Sequence, residues 1–412
     1  MGAAGSRMRD LSTSMAAVLI AQGCNLGFAP IVKPGHPALT RDRLSHVSQN
    51  YVRADTLAGA NARLITAQSR IDVAQLWGGG LLASVDGLRF VVPVRSLDAG
   101  PNPHYFGRGR GITWLNAIND QVVGIGAVVV TGTMRDSLHV LDVILGRDGG
   151  PTPTMIATDT ASYSDIVFGL FRLLGYQFSP RLADLPDQRL WRLTLPGAPR
   201  ADYGPMNAVA RNNLSFERIR VQWPDMLRVA GSLHTGTVAG YDLLRMLGRD
   251  GNPTPLGAAF AEYGRAAKTL HLLAMCDPGD ETYRRTVHVQ LTVQESRHRL
   301  ARKIFHGSRG EIRHRYREGQ EDQLAALGLV LNAVVLWNTR YIDAALQALR
   351  EQGYPVDDED AARLSPLIDA HVNVHGRYTF TEPVDDELRP LRDLTESVED
   401  EYLPDGTSPP AV

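Results

Sequence analysis

The stretch Leu81-Leu82-Ala83-Ser84-Val85-Asp86-Gly87-Leu88-Arg89-Phe90 governs how the rest of the chain is read. It is an apolar run that follows the turn residues Gly78-Gly79-Gly80, the pattern of a buried central strand. That strand delivers one carboxylate, Asp86, at its end. Burying an acid costs free energy unless the group is hydrogen-bonded, paired or bound to a cation. Two more acids stand in comparable settings. Asp159 ends the run Met155-Ile156-Ala157-Thr158-Asp159, and Glu295 sits inside a basic helical stretch, 290–304. The expectation is that Asp86, Asp159 and Glu295 converge on metal ions and that the rest of the chain serves them.

Downstream of the first strand lies a Pro/Gly-rich loop, 98–111, and then two β-like runs, 112–118 and 122–130, joined by the turn signal Asn119-Asp120. A helix over 135–145, a strand over 154–158, a helix over 164–174 and a last strand over 176–178 follow. The order β-β-β-α-β-α-β implies a mixed sheet covered by helices, and it is the order of the RNase H-like fold. Residues 1–75 read as a helical lead-in, with helices over 41–51 and 54–71 and Asp55 as a cap for the second. Residues 182–285 turn helical again, over 223–233, 240–247 and 256–275. The expected class is α/β: an RNase H-like mixed five-stranded sheet with flanking helices, a helical insertion before the last acid, and helical N- and C-terminal additions. The expected division is 1–75, a core from 76–181, the insertion 182–285, a closing helix and a long helix within 286–350, and a C-terminal helical segment with an acidic tail over 351–412. The tail reads as disordered from Asp393 onward.

The chain has 412 residues, enough for two or three domains, and 43% apolar with 21% charged residues is ordinary for a globular protein. Its two cysteines, Cys24 and Cys276, have no metal-ligand spacing, which argues against a disulfide framework and structural zinc and for a reducing cytoplasm. A net charge of −2 gives no support for nucleic-acid binding by itself. The average conceals a basic run of Arg297, Arg299, Arg302, Lys303, Arg309, Arg313, Arg315 and Arg317 against Glu311, read as a basic face. Past Val356 the chain turns acidic, with 357–360 and later Asp385-Asp386-Glu387. No apolar run approaches the ~20 residues a bilayer needs. Met1 to Ser6 matches a myristoylation pattern and 15–21 faintly resembles a signal peptide, but a first amphipathic helix over 8–22, ended by Gly23, accounts for both better.

Phosphoryl transfer on DNA asks little covalent chemistry of a protein. It needs two divalent cations, about 4 Å apart, to activate the attacking oxygen and stabilise the leaving one. Magnesium takes oxygen ligands and keeps several waters, so a few carboxylates suffice. Asp86 would bridge both ions, with Asp159 and Glu295 each holding one. The spacing alone is a weak signal, because the chain has 45 acids and an Asp at a strand end is more often structural. The helix face of Glu295 includes His298, Arg299 and Arg302, and Arg302 would grip a phosphate beside the metals; a solvated basic face is the plainer alternative. The loop 107–111 precedes a strand, so a dinucleotide fingerprint fails its context. It reads as a hairpin tip whose Arg108 and Arg110 would touch DNA backbone. His104, His139, His234, His288 and His314 show no paired spacing, and Ser84 lacks a nucleophile elbow.

Several long, ordered motifs add what spacing cannot. Gln22-Gly23-Cys24-Asn25-Leu26-Gly27, Trp77-Gly78-Gly79-Gly80 through Asp86-Gly87, Tyr105-Phe106-Gly107-Arg108-Gly109-Arg110-Gly111, Gly132-Thr133-Met134-Arg135-Asp136-Ser137-Leu138, Thr158-Asp159-Thr160, Leu336-Trp337-Asn338-Thr339 and His371-Val372-Asn373-Val374-His375-Gly376-Arg377-Tyr378 resemble the catalytic part of the replicative transposases of class II bacterial transposons, the Tn-three type. The match runs over about 11–380. The resemblance implies a DDE transposase whose catalytic acids and metal ligands are Asp86, Asp159 and Glu295, with two Mg2+ ions, Mn2+ being a substitute. It implies nicking at transposon ends, then attack of the freed 3′-hydroxyl on target DNA to give a cointegrate. The implied partners are double-stranded DNA, as transposon ends and as target, and a second copy in a homodimeric active complex; no membrane is implied, and the location is the bacterial cytoplasm and nucleoid. Arg108, Arg110, Arg299, Arg302 and Lys303 are the expected DNA contacts. The family's long N-terminal region for inverted-repeat recognition is missing from these residues, so a truncated chain is expected. Two alternatives follow from that: a catalytically silent DNA-binding or dimerising fragment, or a stand-alone RNase H-like nuclease.

Overall fold

The structure, a computed structural model, describes residues 8–380 and 388–391, except 133–135, 161–162, 184, 200, 307–309 and 314–319. The Met1 to Ser6 pattern, the Asp385-Asp386-Glu387 run, the tail from Asp393, and Arg309, Arg315 and Arg317 of the basic run lie outside the described residues.

β1 (Leu82–Val91) is the centre of a mixed sheet that also contains β2 (Gly100–Pro101), β3 (Arg110–Asn119), β4 (Gly124–Thr131), β5 (Met155–Thr158) and β6 (Gln177–Pro180). β3 runs antiparallel to β1 from Ala83↔Asn119 to Val91↔Gly111. On the other flank β5 runs parallel, from Leu82↔Met155 to Val85↔Thr158, and β6 lies parallel beyond it. β4 pairs antiparallel with β3. The five strands read from the sequence form this sheet, and the two-residue β2 adds a short sixth on β3. The Gly-rich entry to β1 is tied down by the hairpin between β3 and β4. Asp120 accepts from Gly80 N at 2.7 Å and from Leu82 N at 3.4 Å. Gly80 adopts φ +77, a conformation an L side chain would strain.

Four helices precede the sheet: α1 (Leu11–Gly23), α2 (Arg41–Tyr51), α3 (Ala54–Gln68) and α4 (Asp72–Trp77). Two expectations are corrected here. α3 is capped by Arg53 and Thr56, whose hydroxyl accepts from Arg53 N at 3.1 Å, while Asp55 sits in the first turn. The helix also stops at Gln68, short of Ile71. Between strands lie α5 (Pro103–Phe106), α6 (Val140–Leu145) and α7 (Asp165–Leu173). After the sheet come β7 (Trp191–Arg192) and β8 (Asn212–Asn213), which among the described residues pair with each other outside the main sheet, then α8 (Phe216–His234), α9 (Gly240–Gly248) and α10 (Pro255–Cys276). α11 (Thr282–Ile304), α12 (Gln320–Glu351) and the short α13 (Asp358–Ala361) follow.

Alternation along the strands splits the core in two. Val85, Leu115, Ala117 and Ile156 pack with Val140, Ile144, Phe168 and Phe171 of α6 and α7. Leu88, Phe90, Ile112 and Trp114 face the other way, onto Leu300 and Ile304 of α11 and Leu324 and Leu331 of α12. A third cluster joins α1, α2 and α3 through Val18, Leu44, Val47 and Leu57. By length and composition one segment, Glu321–Glu351, would suffice to cross a membrane, where the sequence reading found no such run. Its apolar side is used within the fold, since Leu324, Leu327, Leu331 and Val335 are all 0% exposed.

α10 crosses α7 at very short range. A Cβ added to Gly264 would stand 1.7 Å from Asp165 O, and one added to Gly169 would stand 2.3 Å from Phe260 O. Further along α10, the ring of His271 meets the end of β6. Nε2 lies 3.0 Å from Pro180 O, which can only accept, so Nε2 carries the hydrogen. Nδ1 then accepts from the Tyr283 hydroxyl at 2.8 Å, and that oxygen is 2.6 Å from Ser179 Oγ. Burial pushes the His271 pKa down to about 4.

Two outcomes follow. Gly264→Ala forces backbone apart at the α7–α10 crossing and should cost about 1–3 kcal/mol in urea unfolding. His271 stays neutral in the fold but protonates below about pH 6.5 once unfolded, so its contribution is complete above that pH and is lost as pH falls toward 4. Between pH 7 and pH 5 the loss should be about 2 kcal/mol. His271→Gln should remove that part of the acid sensitivity, read as urea midpoints at the two pH values.

Candidate active site

Ser84, Asp86 and Leu88 are alternate residues of β1 and point toward α11, which lays polar side chains against them at a helical repeat of four: Gln290, Gln294 and His298. The Ser84 hydroxyl donates to Gln294 Oε1 at 2.8 Å and accepts from Gln290 Nε2 at 3.1 Å. Gln290 Nε2 also donates to Ile118 O at 3.2 Å. Gln294 Nε2 donates to Asn116 Oδ1 at 3.0 Å. Asn116 Nδ2 donates to the backbone oxygens of Asp86, at 3.2 Å, and Trp114, at 3.3 Å. These side chains are buried, from Ser84 at 0% to His298 at 7% exposed.

The ladder ends on His298. Its Nε2 lies 2.9 Å from Asn116 Nδ2 and 3.0 Å from Gln294 Nε2. Both neighbours are donors, so Nε2 accepts and the ring hydrogen sits on Nδ1. Nδ1 stands 3.5 Å from Asp86 Oδ2. Burial, then the charges of Arg297, Arg302 and Arg89, push the His298 pKa down to about 3, so the ring is neutral near pH 7.

The three acids are placed as follows. The Asp86 side chain is 40% exposed on β1. The parallel register ends at Val85↔Thr158; Asp86 continues along β1, and Asp159 is the first residue past β5. Asp159 is exposed and its Oδ1 accepts from Thr160 N at 2.6 Å. Glu295 is exposed on α11, between the anchored Gln294 and His298. Asp86 and Asp159 thus each follow the last paired residues of β1 and β5, and α11 packs across β1. The fold does not gather the side chains into a formed cluster: among the described residues no three His, Cys, Asp or Glu stand ready to hold a metal ion. The donors are hard carboxylate oxygens with access to water, which suits magnesium-like cations that keep part of their hydration.

Of the expected DNA contacts, Arg108 and Arg110 are exposed at the start of β3. Arg299 and Arg302 are exposed on α11, and Arg299 Nη2 donates to Ser296 Oγ at 2.7 Å. Lys303 is engaged with Asp369, 3.4 Å from its Oδ1. Arg297 departs from the expected basic face. It is 1% exposed and donates to Asn332 Oδ1 at 2.5 Å, because the inward stripe of α11 passes through Gln290, Gln294, Arg297 and Ala301. Sequence reasoning missed Asn116, Gln290 and Gln294 and gave Ser84 and His298 no part in a ladder. The signal available was the Gln-x-x-x-Gln-x-x-x-His repeat. It also passed over Arg89, whose guanidinium lies 3.7 Å from the centre of the Tyr105 ring.

Fold and site together describe an α/β protein with one acid on β1 and another just past the adjacent parallel β5, beneath a long, polar-anchored helix. The chain belongs to the Tn3 transposase DDE domain family, whose profile matches residues 2–378. It is 57% identical over 392 residues to the transposase for transposon Tn4556 of Streptomyces fradiae, covering 95% of this chain and 43% of that protein. It is 51% identical over 400 residues to the transposase for transposon gamma-delta of Escherichia coli (strain K12), covering 97% and 39%. The transposase for transposon Tn1546 of Enterococcus faecium is 33% identical over 378 residues, covering 92% and 37%. The chain spans about two-fifths of the length of these relatives.

Gln294→Leu deprives Ser84 of its acceptor and Asn116 and His298 of a donor. Each buried group left unpaired should cost about 1–3 kcal/mol. The check is the urea midpoint of the variant against the parent, with far-ultraviolet circular dichroism confirming that the helices persist.

Proposed function

We propose that this chain is the catalytic region of a DNA transposase, which nicks transposon ends and joins the freed 3′-hydroxyl to target DNA. The observation that supports the reading is that Asp86 and Asp159 each follow the last residue pair of the parallel β1–β5 register, with Glu295 on a helix hydrogen-bonded to β1. Family membership supports it. The core is read as RNase H-like, on the strength of a sheet in which β4, β3 and β1 are antiparallel and β5 and β6 continue parallel. Residues 182–285 are read as an insertion before the last acid, since among the described residues their two strands pair outside the main sheet.

In this reading Asp86, Asp159 and Glu295 hold two Mg2+ ions, or Mn2+ in their place. Such ions, when bound, activate the attacking hydroxyl and stabilise the leaving oxygen. The protein's own part is to present the carboxylates in one place and to position DNA beside them. Arg299 and Arg302 lie one and two helical turns beyond Glu295, suited to phosphates near the acids. Arg108 and Arg110 would touch backbone farther along the duplex, and Lys303 would do so on release from Asp369. The partners are double-stranded DNA at the transposon ends and at the target, with a second copy of the chain in the active complex. The setting is the bacterial cytoplasm.

The test is Asp86→Asn, in this chain and in a full-length transposase carrying it, with duplex transposon ends and Mg2+. Asn keeps the shape of Asp and removes the charge that holds cations. Strand cleavage should fall by at least about a thousandfold, several kcal/mol of transition-state stabilisation. Duplex affinity by fluorescence anisotropy and the circular dichroism spectrum should be retained. Cleavage by the variant at the parent's rate would remove Asp86 from the site.

A further inference from the structure

We propose that His298 is a positioning residue for Asp86, acting through its Nδ1–H on one carboxylate oxygen, and that the ladder behind it exists to hold that tautomer. The proposal rests on the reading of Asp86 as a metal ligand. Its structural base is the double donation onto Nε2 from Asn116 and Gln294, at 2.9 and 3.0 Å. A ring meeting two N–H groups on one side is left with its hydrogen on the other. That side faces Asp86 Oδ2 at 3.5 Å, longer than an ordinary hydrogen bond, so the ring dipole orients the carboxylate more than it binds it.

The chemistry explains why the group is an imidazole. A lysine or arginine there would answer the Asp86 charge and compete with any cation for it. An imidazole whose far nitrogen accepts two hydrogen bonds offers a dipole and no full charge. It turns the carboxylate and leaves its charge available. Outer groups of this kind typically change metal affinity 10–100-fold when replaced. The ladder also sets how α11 is rotated. Glu295 lies three positions before His298, about 60° round the helix, so the hydrogen bonds that aim the ring at Asp86 also fix where the Glu295 backbone stands.

The experiment compares His298→Gln, His298→Asn and Asp86→Asn with the parent chain. Gln places an oxygen where Nε2 accepts and keeps the ladder, but has no donor at the Nδ1 position. Asn places a donor near Asp86 and abandons the ladder. The first readout uses metal-free protein: nitrogen-15 shifts of the histidine rings near pH 7, with the His298 signal assigned by its absence in His298→Gln. A bare Nε2 and a protonated Nδ1 that moves in Asp86→Asn are expected; an Nε2–H tautomer overturns the proposal. The second readout is Mn2+ affinity by electron paramagnetic resonance. His298→Gln should melt close to the parent and bind Mn2+ about 10–100-fold more weakly. His298→Asn should lose stability and keep affinity within a few-fold. Parent-like Mn2+ affinity in His298→Gln, alongside weakened binding in Asp86→Asn, overturns the proposal. If Asp86→Asn binds Mn2+ as the parent does, the metal reading fails, and the ring-nitrogen shifts still decide whether His298 orients Asp86.

Discussion

The seating of α11 on the sheet rests on one buried polar contact: the ladder that runs from Ser84 through Gln290, Gln294 and Asn116 to His298. Apolar packing of Leu300, Ala301 and Ile304 against Leu88 and Phe90 supplies burial there, but such surfaces tolerate sliding and rotation. Hydrogen bonds do not. A slip of one residue along α11 would strand Ser84, Asn116 and both glutamines without partners in a low-dielectric interior, where each orphan is costly. None of the ladder's side-chain atoms is among the buried polar atoms without a partner. A fully satisfied network of this sort selects one docking geometry, and the position of Glu295 follows from it.

The helices between β6 and α11 acquire a mechanical role in this light. α10 leads almost directly into α11, and it is locked to α7 where Gly169 and Gly264 let the two backbones touch. His271 and Tyr283 then tie the end of α10 and the start of α11 to Ser179 and Pro180 of β6. The first turn of α11 is therefore set from the β6 side of the sheet, its middle by the ladder on β1 and β3, and its far side by Arg297 against Asn332 of α12. A helix held at three points along its length leaves little freedom for an acid in its middle.

Much of this fold is legible in the chain before any coordinates. The apolar run around Asp86, the Asn119-Asp120 turn and the apolar period of the helical stretches mark five strands and most helices, because each reports a local backbone requirement. Legibility fails where a partner outside the segment decides. Arg53 caps α3 through Thr56, although Asp55 is the better cap by propensity alone. A Gln-x-x-x-Gln-x-x-x-His repeat looks like a solvated stripe until the strands facing it are known to offer Ser84 and Asn116. Arg297 counts as surface charge in a tally of composition, yet the period of α11 carries it inward. The candidate acids are read as standing at strand ends and on a helix, although Asp86 lies midway along β1 and Asp159 just past β5. How Asp159 and Glu295 turn their side chains depends on rotamers and bound groups, which no periodicity records.

Arg297 links the packing of α11 to the electrostatics of the acids. A fully buried guanidinium is costly, and among the described residues this one is hydrogen-bonded to neutral groups, the Asn332 side chain and Val122 O at 3.5 Å. Its Nε has no partner among the described residues, and burial brings its pKa down to about 9, still charged near neutrality. Its charge therefore acts on what lies beside it, and the adjacent residue on α11 is His298. Arg302 and Arg89 act on the same ring. Three cations around an imidazole oppose its protonation, so the group facing Asp86 remains a neutral dipole. A run of arginines on one helix is thus divided in two: buried Arg297 acts on the charge state of His298 at the sheet, while Arg299 and Arg302 stay exposed on the outer face, where the proposed function sets them against DNA.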